Sequence, residues 1–194
     1  MFGYLSGKIV DLTPTMTYID INGVGYEVNI TLTTYEAIQG KEQTKLYTYL
    51  QVREDAWVLY GFHSLQEKES FTKLLGVSGV GAATARILLS SISSQELAQI
   101  IENGDSKRLE KVKGIGGKTA QRIILELKGK LAIDASQYDL TNTVHNTNQN
   151  DALNALLGLG ISKTIAETAI RKALPSLNDD FSIEDLIKAA LKNL

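Results

Sequence analysis

The sequence predicts a multidomain α+β protein: a small N-terminal five-stranded barrel, a central domain of two helical hairpins, and a C-terminal three-helix bundle on a flexible polar linker. Three observations predict it. Short runs rich in Tyr, Val, Ile and Thr at near period 2 fill residues 1–63. A Gly-apolar-Gly tripeptide with helical periodicity on both sides occurs twice within residues 64–133, 35 residues apart. Apolar periodicity then disappears over 134–149 and returns across 150–194. A length of 194 residues holds one large domain or two to three small ones, and 43% hydrophobic residues suit a folded chain.

In the first domain the expected strands are 2–10, 16–21, 24–31, 45–53 and 56–63, with one helical turn over 33–39. Asn22-Gly23 is the residue pair that a two-residue hairpin turn selects, because both positions need positive φ. Five short strands with a small helix in the middle suit an OB-type barrel. Tyr4, Tyr26, Tyr47, Tyr49, Trp57 and Tyr60 are of a type that stacks on bases, although such residues more often pack in cores and interfaces. Glu54 and Asp55 occupy the turn between the last two strands, beside Arg53. Read alone they are a solvated tip; next to a phosphate-binding domain they would repel a nucleic-acid backbone.

Five helices are expected over 64–133. Ser64 with Glu67 and Ser93 with Glu96 carry the capping-box spacing, Asp105 is an N-cap, and the two glycine tripeptides join the remaining helices. The first tripeptide is Gly79-Val80-Gly81, continued by Thr84-Ala85-Arg86-Ile87-Leu88. The second is Gly114-Ile115-Gly116, continued by Thr119-Ala120-Gln121-Arg122-Ile123-Ile124. Glycine permits the positive φ of the turn and leaves backbone N–H groups uncovered. The helix that begins there adds its own unpaired N–H groups and positive dipole end, an arrangement that binds phosphate oxygens. Val80 and Ile115 are expected to turn inward. Two copies make this the helix-hairpin-helix pattern of sequence-independent DNA-backbone binding.

Residues 134–149 are rich in Asn, Thr and Asp and read as a flexible linker. Helices are expected at about 151–158, 162–174 and 182–193, with Ser162 and Ser182 as N-caps and Pro175 closing the second. Leu156, Leu159 and Ile161 surround Gly158 and Gly160. They form either an exposed apolar patch or part of the bundle's core.

Charge separates along the chain although the net value is only −2. Residues 1–63 carry four Lys and Arg against seven Asp and Glu, residues 64–133 eleven against seven, and residues 134–194 five against eight. The positive charge thus collects on the hairpins, as an electrostatic footprint for nucleic acid requires. Nucleotide chemistry is excluded by spacing. A P-loop ending at Gly117-Lys118-Thr119 needs glycine where Val112 stands, and dinucleotide fingerprints starting at Gly79 or Gly114 need glycine where Thr84 and Thr119 stand. His63 and His145 are isolated, so no metal or cofactor is expected. The absence of cysteine fits a reducing cytoplasm, and no run of about 18 apolar residues suggests a membrane span.

The order of these parts resembles the RuvA family of Holliday-junction-binding proteins over the whole chain. The resemblance rests on the opening Met1, Gly3, Leu5 and Gly7, on Arg53-Glu54-Asp55-Ala56 followed by Leu59 to Phe62, and on both hairpins. It implies a non-catalytic homotetramer, one or two per four-way junction. DNA would be bound through Gly79, Val80, Gly81, Arg86, Gly114, Ile115, Gly116, Gly117, Lys118, Thr119 and Arg122. Glu54 and Asp55 match the family's acidic pin. The tail would dock the RuvB ATPase through Leu156, Leu159 and Ile161, with the RuvC resolvase as a further partner. Ala82-Ala83 stand where the family often has Pro-Lys, and Gly117 where a second lysine is common. Side-chain charge at the first hairpin is therefore lost, and phosphate affinity leans on Lys118 and Arg122. The competing readings are a repair nuclease on the same scaffold, a single-strand binder using the barrel's aromatics, and a generic DNA-binding module. The first needs a carboxylate cluster that the hairpins lack.

Overall fold

The computed structural model describes residues 2–131, 144–176 and 181–194. The chain divides into two compact units, Met1–Asp134 and Ala135–Leu194.

The first unit opens with β1 (Tyr4–Thr13), β2 (Met16–Ile21), β3 (Val24–Ile30), α1 (Leu32–Ile38), β4 (Gln43–Val52) and β5 (Trp57–Phe62). The strands close into an OB-type barrel in the order β1-β2-β3-β5-β4. β1 is longer than its apolar alternation suggested because it serves two neighbours in succession. Tyr4 to Lys8 pair with β4, Lys8 to Thr13 pair with β2, and a register shift between Ile9 and Asp11 turns the strand from one to the other. Asn22 and Gly23 both have positive φ (53° and 87°), as the hairpin from β2 to β3 demands. Leu5, Ile19, Val28, Ile30, Ile38, Leu46 and Leu59 fill the interior. Closure depends on a short parallel seam, with only Asn29 and Ile30 of β3 pairing with Tyr60 and Gly61 of β5.

Five helices follow: α2 (Leu65–Leu75), α3 (Ala82–Ser91), α4 (Ser94–Asn103), α5 (Ser106–Glu110) and α6 (Gly117–Leu127). Their apolar faces make one core with the barrel's outer surface. Phe71 of α2, fully buried, packs its ring on Tyr49, Tyr60 and Phe62 at centroid distances of 5.6, 5.1 and 4.9 Å. Thr33 of α1 donates to the Leu89 carbonyl of α3 at 2.8 Å.

A polar cluster completes this junction at the end of the parallel seam. Glu67, 2% exposed, accepts from the Thr31 hydroxyl and from the Thr34 hydroxyl at 2.8 Å, and its carboxyl lies 2.9 Å from His63 Nδ1. Thr34 in turn accepts from the His63 N–H at 3.0 Å. Thr31 immediately follows β3 and His63 immediately follows β5, so Glu67 joins the two strand ends. This corrects the capping boxes expected from spacing. Ser64 and Ser93 do cap α2 and α4, but Glu67 turns to this cluster and Glu96 pairs with Arg108. Neither glutamate returns to its cap.

The second unit contains α7 (Val144–Gly158), α8 (Lys163–Ala173), a 3-10 turn over Leu174–Ser176 and α9 (Ile183–Leu191). α7 starts earlier than the expected 151, since neither Gly nor Pro interrupts the chain from Val144 to Leu157. Residues 134–143 of the expected linker lie outside the described residues. Ala152, Leu156, Ala166, Ala169, Ile170, Ala173, Leu186 and Ala190 form the core. α9 has the reciprocal capping box, Ser182 with Asp185, and the hydrogen bond from Ser182 holds the Asp185 carboxyl below its ordinary pKa. No helix of the described residues is long and apolar enough to cross a membrane.

Replacing Glu67 by Ala leaves the buried Thr31 and Thr34 hydroxyls without the acceptor to which they donate. The expected loss is about 1–3 kcal/mol, read from the midpoint of urea unfolding; an unchanged midpoint would show that the cluster contributes nothing to stability.

Candidate nucleic-acid interface

The repeated tripeptides fold as the same turn twice. Gly79 has φ 89° and Gly114 has φ 92°. Gly81, the N-cap of α3, sits at φ −90°, ψ 171°, and Gly116, the N-cap of α6, at φ −89°, ψ 167°. Val80 N–H donates to the Val77 carbonyl at 3.0 Å, and Ile115 N–H to Val112 at 3.1 Å. Both apolar side chains are buried, anchoring each turn in the core. The first helical bonds are also alike, Ala85 N–H to Gly81 and Ala120 N–H to Gly116, both 2.9 Å.

The start of each helix determines which amides are available. The first N–H groups of a helix have no intrahelical partner. In α1, α2, α4 and α5 a side chain takes up one of them: Thr31, Ser64, Ser93 and Asp105 respectively. α3 and α6 have no side-chain cap. Their open amides belong to Gly81, Ala82, Ala83 and Thr84, and to Gly116, Gly117, Lys118 and Thr119. Together with the helix dipole they form a positive, oriented donor set for an anion. Val80 and Ile115 shape each site but spend their own N–H groups inside the turn. The amides of Ala82, Ala83 and Thr84 were not singled out in the sequence, since nothing in an alanine side chain marks it; counting helix positions from Gly81 would have found them.

The two turns are neighbours. Arg122 of α6 donates to the Ser78 carbonyl of the first turn at 3.2 Å, and a Cβ on Gly79 would lie 4.0 Å from Thr119 Oγ1. Arg122 therefore braces one hairpin against the other while remaining exposed. Arg86, expected beside it, is directed elsewhere. Its guanidinium donates to Asn29 Oδ1 at 2.8 Å on the barrel. One residue of offset explains the difference: Arg122 lies eight residues after Gly114, Arg86 only seven after Gly79, so the two point from different faces of their helices. Lys118 is exposed at the second residue of α6, and Ala83 occupies the equivalent place in α3.

Glu54 and Asp55 are exposed at a tight turn closed by the Arg53 N–H to Ala56 carbonyl bond of 2.9 Å. Arg53 reaches back to Gln51 Oε1 at 3.2 Å. Among the described residues no cation pairs with either carboxyl. The tip carries net negative charge at the end of the β4–β5 hairpin.

In the second unit the expected patch divides. Leu156 is fully buried in the core, Ile161 is half-buried against it, and Leu159 is 65% exposed. Leu156 thus leaves the set of surface residues. Its inward position follows from the helical spacing of Ala152 and Leu156, four residues apart on one face of α7. Among the described residues no group of three or more His, Asp or Glu is placed to hold a metal ion.

Three families match the chain: RuvA N terminal domain over residues 1–61, SAM-like helix-hairpin-helix tandem over 71–130, and RuvA, C-terminal domain over 147–194. Among similar proteins, the Holliday junction branch migration complex subunit RuvA of Porphyromonas gingivalis is 45% identical, and that of Bacteroides fragilis 43%, each over the full length of both chains. The protein of the same name from Cytophaga hutchinsonii is 41% identical over 99% of each.

The turn geometry makes a prediction independent of any ligand. A Cβ on Gly114 meets nothing within 4 Å, so Gly114→Ala bears only the strain of its left-handed φ. Thermal unfolding should report about 1–2 kcal/mol of destabilisation; an unaffected melting temperature would mean that the turn relaxes out of this conformation.

Proposed function

The chain belongs to the RuvA family, and from that premise we propose that it binds four-way DNA junctions without catalysing a reaction itself. The observation that carries this reading is the pair of matching, uncapped helix N-termini braced side by side. Backbone amides recognise phosphate geometry and carry no base code, so affinity follows the shape of the DNA rather than its sequence. Two adjacent phosphate sites suit the backbone of a duplex arm, and the surplus of positive charge over 64–133 supplies the salt-dependent attraction.

A four-way junction has four arms, and a homotetramer would present one pair of hairpins to each. One such tetramer, or two on opposite faces, would hold the junction. The acidic tips of Glu54 and Asp55 would gather near the crossover, repel phosphates there and separate the strands passing between arms. The RuvB ATPase would supply the ATP hydrolysis that drives branch migration, docking on the second unit at the exposed Leu159 and the half-buried Ile161 beside it. RuvC would act on the same junction, and the assembly would work in the cytoplasm.

Gel-shift competition between a four-way junction and linear duplex of equal length tests the central reading. Strong preference for the junction, declining with salt, is expected; equal affinity would reduce the protein to a generic DNA-binding module. Lys118→Ala should lower the slope of log K against log salt by about 0.9, one phosphate contact. Ala83→Lys, at the equivalent place in the first hairpin, should raise it by about the same amount. If neither slope moves, the hairpin side chains do not meet phosphate.

Replacing Glu54 and Asp55 together by Ala should tighten junction binding by about five-fold at low salt, on the order of 1 kcal/mol of removed repulsion. The gain should vanish at high salt. Weaker binding by the double variant would indicate that the tip attracts its DNA rather than repelling it.

A further inference from the structure

The acidic turn carries an apolar pair that the fold does not use. Along β4 the row Leu46, Thr48, Leu50, Val52 faces one way, and on β5 it is met by Gly61, Leu59 and Trp57 through the pairs Thr48 with Gly61, Leu50 with Leu59 and Val52 with Trp57. Leu46, Thr48 and Leu59 are buried in the barrel. The hairpin then runs past the end of the barrel, and the same row emerges into solvent at its last level. Val52 is 62% exposed and Trp57 is 75% exposed.

The other aromatic side chains of the barrel are accounted for. Tyr49 and Tyr60 pack on Phe71, Tyr26 meets Phe2 edge-on at 6.3 Å, and Tyr4 and Tyr47 lie under the Lys45 ammonium at 4.4 and 5.0 Å. Trp57 has no ring contact among the described residues. Of the six aromatics that the sequence marked as able to stack on bases, it alone has neither a ring contact nor a cation over its face among the described residues.

Charge and size select what can cover it. Arg53, Glu54 and Asp55 stand between Val52 and Trp57 in the chain; Arg53 turns back to Gln51, and the two carboxyls at the tip leave net negative charge that disfavours a phosphate backbone at this ring. A second copy of the tip offers only the same two exposed apolar side chains. One Trp and one Val fall far short of the roughly 800 Å² per partner that a stable protein interface buries. A nucleobase is uncharged and flat, and one indole face matches its area.

We propose that Trp57, backed by Val52, is a stacking platform for a single unpaired base at the centre of the bound junction, with Glu54 and Asp55 holding the flanking phosphates off the ring. This rests on the junction-binding reading above. The tip then does two things at the crossover: its charge keeps backbones apart, and its ring receives a base that strand exchange has unstacked.

Trp57 is the only tryptophan in the chain, so the emission of the intact protein reports on this ring alone. The full chain is titrated with a four-way junction and, separately, with linear duplex of equal length, following emission and its quenching by acrylamide. The junction should quench the emission and shield the ring from acrylamide, and the duplex should do neither. Trp57→Leu, which keeps apolar bulk but no aromatic face, should bind the junction about ten-fold more weakly with duplex binding unchanged. Trp57→Phe should stay close to wild type. Four results overturn the proposal: emission unaffected in a complex that still prefers junctions; the same quenching by duplex; Trp57→Leu binding like wild type; or emission that changes with protein concentration in the absence of DNA, which assigns the ring to a second copy. The first leaves the junction reading intact. A wild-type protein that does not distinguish the two DNAs removes both.

Discussion

The buried Glu67 carboxyl is the constraint on which the first unit depends. A barrel of five short strands is open wherever neighbouring strands pair poorly, and here β3 and β5 share two residue pairs. Glu67 lies at the end of that seam, bonded to residues that immediately follow each strand. A carboxyl with so little exposure is unfavourable unless its oxygens are satisfied, and three partners satisfy it. The same side chain belongs to the first helix after the barrel. Closing the seam and seating the helical domain are therefore one event, reinforced by Phe71 on the outer face of the sheet and by Arg86 reaching Asn29. The acidic tip and the hairpin amides thus belong to one compact unit.

Repetition is the second organising fact. The two hairpins agree in backbone angles within a few degrees and in hydrogen-bond lengths within 0.1 Å. Their side chains have diverged: Lys118 faces solvent where the first copy has Ala83, and Arg122 has become the brace that Arg86 is not. Backbone amides do not depend on side-chain identity, so the anion-binding part of the duplication persists while its charged part drifts. This division explains why the glycines stand out so clearly against their surroundings.

Much of the architecture was legible. Asn22-Gly23, the glycine tripeptides, the serine and aspartate caps and the period-2 runs each reflect a local backbone requirement, and the barrel, the five central helices and the three terminal ones follow from them. What was hidden depends on long-range partners. The spacing of Ser64 and Glu67 is that of a capping box, yet Glu67 answers to threonines more than 30 residues away. The bond from Arg86 to Asn29 on the barrel joins residues 57 apart in the chain and leaves no local signal. Leu156 and Leu159 are equally apolar in sequence; Leu156 shares the buried face of α7 with Ala152, whereas Leu159 lies just past the helix end and stays exposed. The early start of α7 was missed because Asn and Thr weaken a helix without forbidding it.

The placement of Glu67 also bears on how the chain is made. A ribosome releases the five strands before α2, and by hydrophobic pattern the barrel looks ready to fold as soon as it emerges. Its seam cannot be secured until four residues beyond His63 have cleared the exit tunnel and begun to coil. The nascent barrel should thus wait, open at one edge, for the first turn of the next domain. A boundary drawn at residue 63 separates two families of sequence, but a gene fragment ended there would encode a barrel without its latch.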